Sequence, residues 1–140
     1  MKILITGADG QLAKAIVKSK PSNIEIIALT KNDLNLIDKN KIKKIIRETR
    51  PDWVINCAAF TNVEKAEENP DLVMKINSES VKTISDTLKS SKGNLLHISS
   101  DFVFDGKKGK SYKPYDKLSP LGIYGKSKAK AEKYINQILG

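Results

Sequence analysis

Tyr124 and Lys128 stand four residues apart in a stretch that reads as the last helix, and this spacing puts both on one helix face. A phenol beside an ammonium is a proton-transfer pair, because the positive charge favours tyrosinate and lets the hydroxyl give or take a proton near neutral pH. Of the four tyrosines, Tyr124 alone has a lysine four residues on. Its neighbours Gly125 and Ser127 are small enough to admit a ribose. Upstream, Ser99-Ser100-Asp101 follows an apolar run. A hydroxyl there can cap a strand end or hydrogen-bond a substrate carbonyl, and the downstream pair makes Ser100 a candidate for the second role.

A second constellation lies at the start of the chain. Thr6-Gly7-Ala8-Asp9-Gly10-Gln11-Leu12-Ala13 falls between an apolar run and an amphipathic one. Glycines at 7 and 10 would let the backbone turn tightly beside a pyrophosphate, with the first N–H groups of a helix aimed at that anion. Ala13 sits where a third small residue permits close helix–strand packing. The next apolar run ends Leu29-Thr30-Lys31 with no acid to hold a ribose 2′-hydroxyl. Lys31 would instead meet a 2′-phosphate, which favours NADPH, with NADH as the alternative.

These residues need a scaffold that brings strand ends together. Lys2–Thr6, Ile24–Thr30, Trp53–Cys57 and Asn94–Ser99 read as strands. Gln11–Ser19 reads as a helix with Leu12, Ala15 and Ile16 inward, and Asn40–Thr49 as one burying Ile42, Ile45 and Ile46. Pro70–Ser90 is a long helix striped by Val73, Ile76, Val81, Ile84 and Leu88, and a final helix opens at Pro120. The alternation predicts an α/β, Rossmann-like, doubly wound parallel sheet of order 3-2-1-4, with residues 1–140 as one NAD(P)-binding domain.

The chain has 25 Lys and Arg against 16 Asp and Glu, a net charge of +9. The lysines are spread throughout and aromatics are 6%, so no stacking platform for single strands forms and no nucleic-acid partner is expected. No run approaches a membrane span, and one cysteine excludes a disulfide framework, which suggests a cytoplasmic protein. Cys57 reads as a core thiol and His97 as a packed sheet residue. Glu64, Glu67, Glu68 and Asp71 read as a solvated acidic patch, and Lys107–Lys113 as a mobile solvated loop.

The motifs together resemble a family. Gly7-xx-Gly10, Asn56-Cys57-Ala58-Ala59, Ser100 and Tyr124-xxx-Lys128 are similar to the extended short-chain dehydrogenase/reductases. Gly10-Gln11-Leu12, the run Asn56–Glu67, Ser99–Gly106 and Tyr124-Gly125-Lys126-Ser127-Lys128 resemble the dTDP-4-dehydrorhamnose reductases in particular. The likeness covers essentially all 140 residues. It implies Tyr124 as general acid, Lys128 as its partner and ribose ligand, and Ser100 in place of the family's threonine. It also makes Asn77 a helix asparagine supporting proton relay.

By the same resemblance, Gly7, Asp9, Gly10, Gln11, Leu12, Thr30, Lys31 and Ser99 would line the cofactor path. Asn35-Leu36 would meet the adenine, and Ala58 and Ala59 would leave it room. The implied reaction is NADPH-dependent reduction of a nucleotide-linked 4-keto-6-deoxyhexose, which serves rhamnose and polysaccharide synthesis. Asp101 is followed by Phe102 rather than Glu, which argues against a dehydratase. Family members are longer and add further strands and a sugar-binding lobe. The expectation is therefore an N-terminal half that alone turns over little or no substrate, as a homodimer or with a missing C-terminal half. The alternatives are a non-catalytic dinucleotide-binding or regulatory module and another nucleotide-sugar epimerase or reductase.

Overall fold

A computed structural model describes residues 1–140. Four strands, β1 (Lys2–Thr6), β2 (Glu25–Leu29), β3 (Trp53–Asn56) and β4 (Asn94–His97), form one all-parallel sheet. The helices are α1 (Gln11–Lys18), α2 (Lys39–Thr49), α3 (Val63–Glu68), α4 (Pro70–Met74), α5 (Ser80–Ser91) and α6 (Ile123–Ile138). A π-helical turn, Lys75–Glu79, joins α4 to α5, and a 3-10 turn, Asp101–Val103, follows β4.

The doubly wound class holds, but the strand order is β2-β1-β3-β4 and not 3-2-1-4. β3 pairs with β1, with Leu4 opposite Val54, and β4 pairs with β3. The helix faces explain the correction. On one side of the sheet Ala13 and Ile16 of α1 pack on Ile3, Ile5 and Ile26. On the other, Ile42 and Ile46 of α2 and Ile84 and Leu88 of α5 pack on Leu4 and Val54. A crossover must be right-handed, so changing faces reverses its direction across the sheet. The α1 crossover therefore steps from β1 to β2, and the α2 crossover steps back past β1 to β3.

Other boundaries differ for local reasons. In α1 the buried residue is Ala13; Leu12 and Ala15 face outward, so the helix is rotated from the expected face. The stripe of the long helix is as expected, but Ile76 and Val81 are five apart, one residue more than an α-helix keeps on one face. The π turn takes up that residue and keeps Val73, Val81, Ile84 and Leu88 in the core. Helix α6 starts at Ile123, later than Pro120, and a short helix, α3, precedes the long one where no periodic apolar stripe predicts it.

Candidate active site

Loops at the carboxyl ends of β1, β2 and β3 enclose a cleft of about 450 Å³. Gly7, Asp9, Gly10, Lys31, Asn35, Leu36, Ala58 and Ala59, all expected at the cofactor path, line it. The cleft sits where winding reverses, between β1 and β3, which is where doubly wound sheets take ligands. Gly7 has φ +67°, and a Cβ there would lie 2.8 Å from the Ala58 backbone, so only glycine lets the two strand ends come this close. Gly10 is the N-cap of α1, contributes no side-chain hydrogen bond, and is followed by no acid in the first turn. The first N–H groups of α1 thus carry positive partial charge with no side-chain carboxylate to meet it.

The rim is fixed by short polar contacts. Lys31 N donates to Asp9 Oδ2 at 3.4 Å, tying the end of β2 to the glycine turn. Thr30 N and Oγ1 both donate to Asp33 Oδ2, at 2.9 and 2.7 Å. These bonds hold the Asp33 carboxyl below its ordinary range and commit both groups to the turn. Leu34 and Leu36 bury their side chains in the core below the cleft. Gln11 and Leu12 stand exposed in the first turn of α1.

The second group lies farther along the same sheet edge, at the end of β4. Lys128 is 2% exposed although charged. Its Nζ donates to Ile98 O and lies 3.2 Å from His97 Nε2. Burial pulls its pKa down to about 8, and Glu132 partly opposes the shift. The Tyr124 ring meets Phe102 edge to face, with centroids 5.6 Å apart. Ser100 Oγ donates to Asp101 Oδ1 and accepts from Phe102 N, both at 3.2 Å, so it caps the 3-10 turn. Ser99 Oγ donates to Glu132 on α6.

Asn77, in the π turn, is a clamp between elements. Its Oδ1 accepts from Phe60 N at 2.7 Å, and its Nδ2 donates to Phe60 O and to Ser127 Oγ at 3.0 and 3.1 Å. It thereby joins the loop after β3 to the helix carrying Tyr124 and Lys128. The expectation that Gly125 and Ser127 leave room for a ribose is corrected. A Cβ at Gly125 would lie 2.2 Å from Phe102 O, so the missing side chain serves helix packing, and Ser127 is fully buried.

Several contributors were missed. Glu67 Oε1 accepts from Ile123 N at 2.7 Å and caps α6; it is not simply part of a solvated patch. Leu34, Cys57, Phe60, Thr61 and Ile76 complete the cleft, and Cys57 is half-buried at its wall, where burial raises the thiol pKa. The Lys107–Lys113 loop is structured: Phe104 stacks on Tyr112 at 4.1 Å, Tyr112 OH donates to Asp105, and Lys108 pairs with Asp116.

Residues 1–139 match the family described as RmlD substrate binding domain. The chain belongs to that family. A relative named dTDP-4-dehydrorhamnose reductase, from Aggregatibacter actinomycetemcomitans, is 36% identical over 96% of this chain and 46% of its own. A crystal structure of a reductase of the same name from Clostridium acetobutylicum aligns with a TM-score of 0.95 and 39% identity, covering 99% of this chain and 50% of that one. A third, from Bacillus anthracis in complex with NADP, aligns with a TM-score of 0.94 and 30% identity, covering 98% of this chain and 49% of that one. The chain thus spans about half the length of the relatives it matches.

Proposed function

We propose that this RmlD-family chain binds NADPH along the carboxyl edge of its sheet and supplies proton transfer for reduction of a nucleotide-linked 4-keto-6-deoxyhexose such as dTDP-4-dehydrorhamnose. One observation carries the reading: the uncapped glycine turn at the β1 end and the buried Lys128 beside the β4 end lie along a single sheet edge. The names of its relatives and the NADP complex of one of them support it.

The residues present suit that nucleotide. Gly7 admits close backbone approach, and the free first turn of α1 would receive the pyrophosphate. Asn35 and Leu36 would flank the adenine, and Lys31 would meet a 2′-phosphate. When bound, the nicotinamide supplies the hydride. Tyr124 gives the proton to the sugar oxygen at C4, and Ser100, its hydroxyl turned away from Asp101 Oδ1, orients that oxygen. Lys128 holds the ribose and places positive charge near the phenol. Asn77 and Glu67 keep α6 in place while this happens.

Gly10→Val tests the binding step, because a branched side chain at the helix start obstructs the pyrophosphate. A Cβ there already lies 3.2 Å from Gly7 O. Calorimetric titration should show NADPH binding to the unmodified chain and a loss of at least about tenfold in the variant, the scale of 1.4 kcal/mol. Equal affinity in the two proteins would overturn the reading.

A further inference from the structure

The chain's one histidine, His97, is the last residue of β4, half-buried against α6, and has no part in the proton transfer described above. Both ring nitrogens are within hydrogen-bonding distance of a polar group from another element. Nδ1 lies 3.1 Å from Asn56 Nδ2 on β3, and Nε2 lies 3.2 Å from Lys128 Nζ on α6. Asn56 is 1% exposed, and its Oδ1 accepts from Thr6 Oγ1 on β1 at 2.5 Å. A line of polar groups therefore crosses three neighbouring strands under the sheet edge and ends on the lysine.

We propose that His97 is a positioning residue for Lys128: the neutral imidazole accepts a hydrogen bond from the Lys128 ammonium at Nε2 and, with Ile98 O, fixes two of its three N–H bonds and leaves the third unused. An ammonium can only donate, so Nε2 must be bare and the ring proton must sit on Nδ1. Asn56 Nδ2 faces Nδ1 in the structure, so this tautomer requires the amide to turn over, its oxygen then accepting from Nδ1–H and its nitrogen donating to Thr6 Oγ1; the two ends of an amide have the same reach. A cationic ring is disfavoured on both sides, by burial and by the neighbouring ammonium, and the imidazole pKa is pushed down to about 3. The remaining charge near the pair is Glu132, which lies on the next turn of α6 and accepts from Ser99. Without His97 the lysine would keep one fixed contact and could swing about its last carbon bond.

The assignment rests on the reading above only for what the third N–H meets, so its test uses the protein without nucleotide. With one histidine, nitrogen NMR gives a single imidazole. The expected spectrum near neutral pH shows Nδ1 protonated and Nε2 bare, with the ring turning cationic only near pH 3. Carbon NMR of lysine ε-carbons should find Lys128 titrating near 8. In His97→Leu the ammonium loses an acceptor, and that titration should fall by about one pH unit or more. In His97→Gln, whose amide oxygen reaches the Nε2 position, it should return.

A ring proton on Nε2, a ring titrating near the ordinary 6.5, or a Lys128 titration unmoved in His97→Leu would each overturn the assignment. Should His97→Leu fail to fold, the ring spectrum of the unmodified chain and the His97→Gln titration still decide. NADPH titration of the unmodified chain separates the two proposals. Failure to bind with the expected ring state removes the functional reading and leaves the lysine's positioning intact, and the converse result does the reverse.

Discussion

Lys31 and Lys128 are both lysines beside the same sheet edge, and their surroundings give them opposite chemistry. Lys31 is exposed at the cleft rim, its backbone pinned to Asp9 and its ammonium in water. It is well placed to choose between nucleotides, because NADPH and NADH differ only in the 2′-phosphate of a ribose that doubly wound folds bring to the end of the second strand. Lys31→Glu should lower NADPH affinity by about tenfold or more and change NADH affinity little. Parallel titrations check this, and an unchanged ratio removes Lys31 from the choice. Lys128 instead bears the cost of burial. Its folded pKa of about 8 lies below the ordinary 10.5, so the unfolded chain binds more protons over that interval. Stability should therefore rise with pH from about 8 to 10.5 on this group's account. Below that window the buried charge costs about 3 kcal/mol at most. Lys128→Met should accordingly raise the midpoint of urea unfolding near neutral pH, flatten that pH dependence, and weaken nucleotide binding. A variant less stable near neutral pH would show that the two hydrogen bonds outweigh desolvation.

At the scale of elements, the site depends on contacts between helices that are distant in sequence. Glu67 on α3 caps α6 from 56 residues upstream, and Asn77 ties the π turn to the same helix. Glu67→Ala should cost about 1 kcal/mol, as loss of a helix cap does. Denaturant titration would show the lower midpoint, while Glu64→Ala, outside that contact, should leave it nearly unchanged. This geometry also shows what the sequence could reveal. The glycine turn, the four strands and the Tyr124–Lys128 helix were legible because each depends on local periodicity and turn chemistry, although β2, β3 and β4 stop one or two residues before the expected Thr30, Cys57 and Ser99. The five-residue step from Ile76 to Val81 even carried the mark of the π turn. The start of α6 was not legible, because its cap comes from a residue far away in the chain. Nor was the strand order, since periodicity reveals a helix's apolar face but not the side of the sheet that receives it. His97 was read as packing for the same reason: alternation gives a side chain's face but not its partner.

The whole molecule is a sheet with its two faces unequally covered. Helices α2 and α5 pack over β1 and β3 on one side, and α6 packs on α5. On the other side α1 covers β1 and β2, and the rows run on to Trp53 and Leu96, which are 37% and 43% exposed, with Ile98 just beyond at 38%. β4 is also a sheet edge, pairing only with β3. Large apolar side chains beside a free edge favour self-association, whereas a net charge of +9 opposes it. Salt decides which effect dominates. Raising ionic strength from 0.01 to 1 M shortens the screening length from about 30 to about 3 Å, which removes the repulsion and leaves apolar burial intact. Sedimentation equilibrium of the 140-residue chain should therefore show apparent mass rising with concentration, and more steeply in high salt. Leu96→Lys with Ile98→Lys should abolish the rise while leaving helix content unchanged, since neither side chain lies in the core. Association that weakens as salt is added would instead point to contacts made by charged groups, and the apolar face would have no part in it.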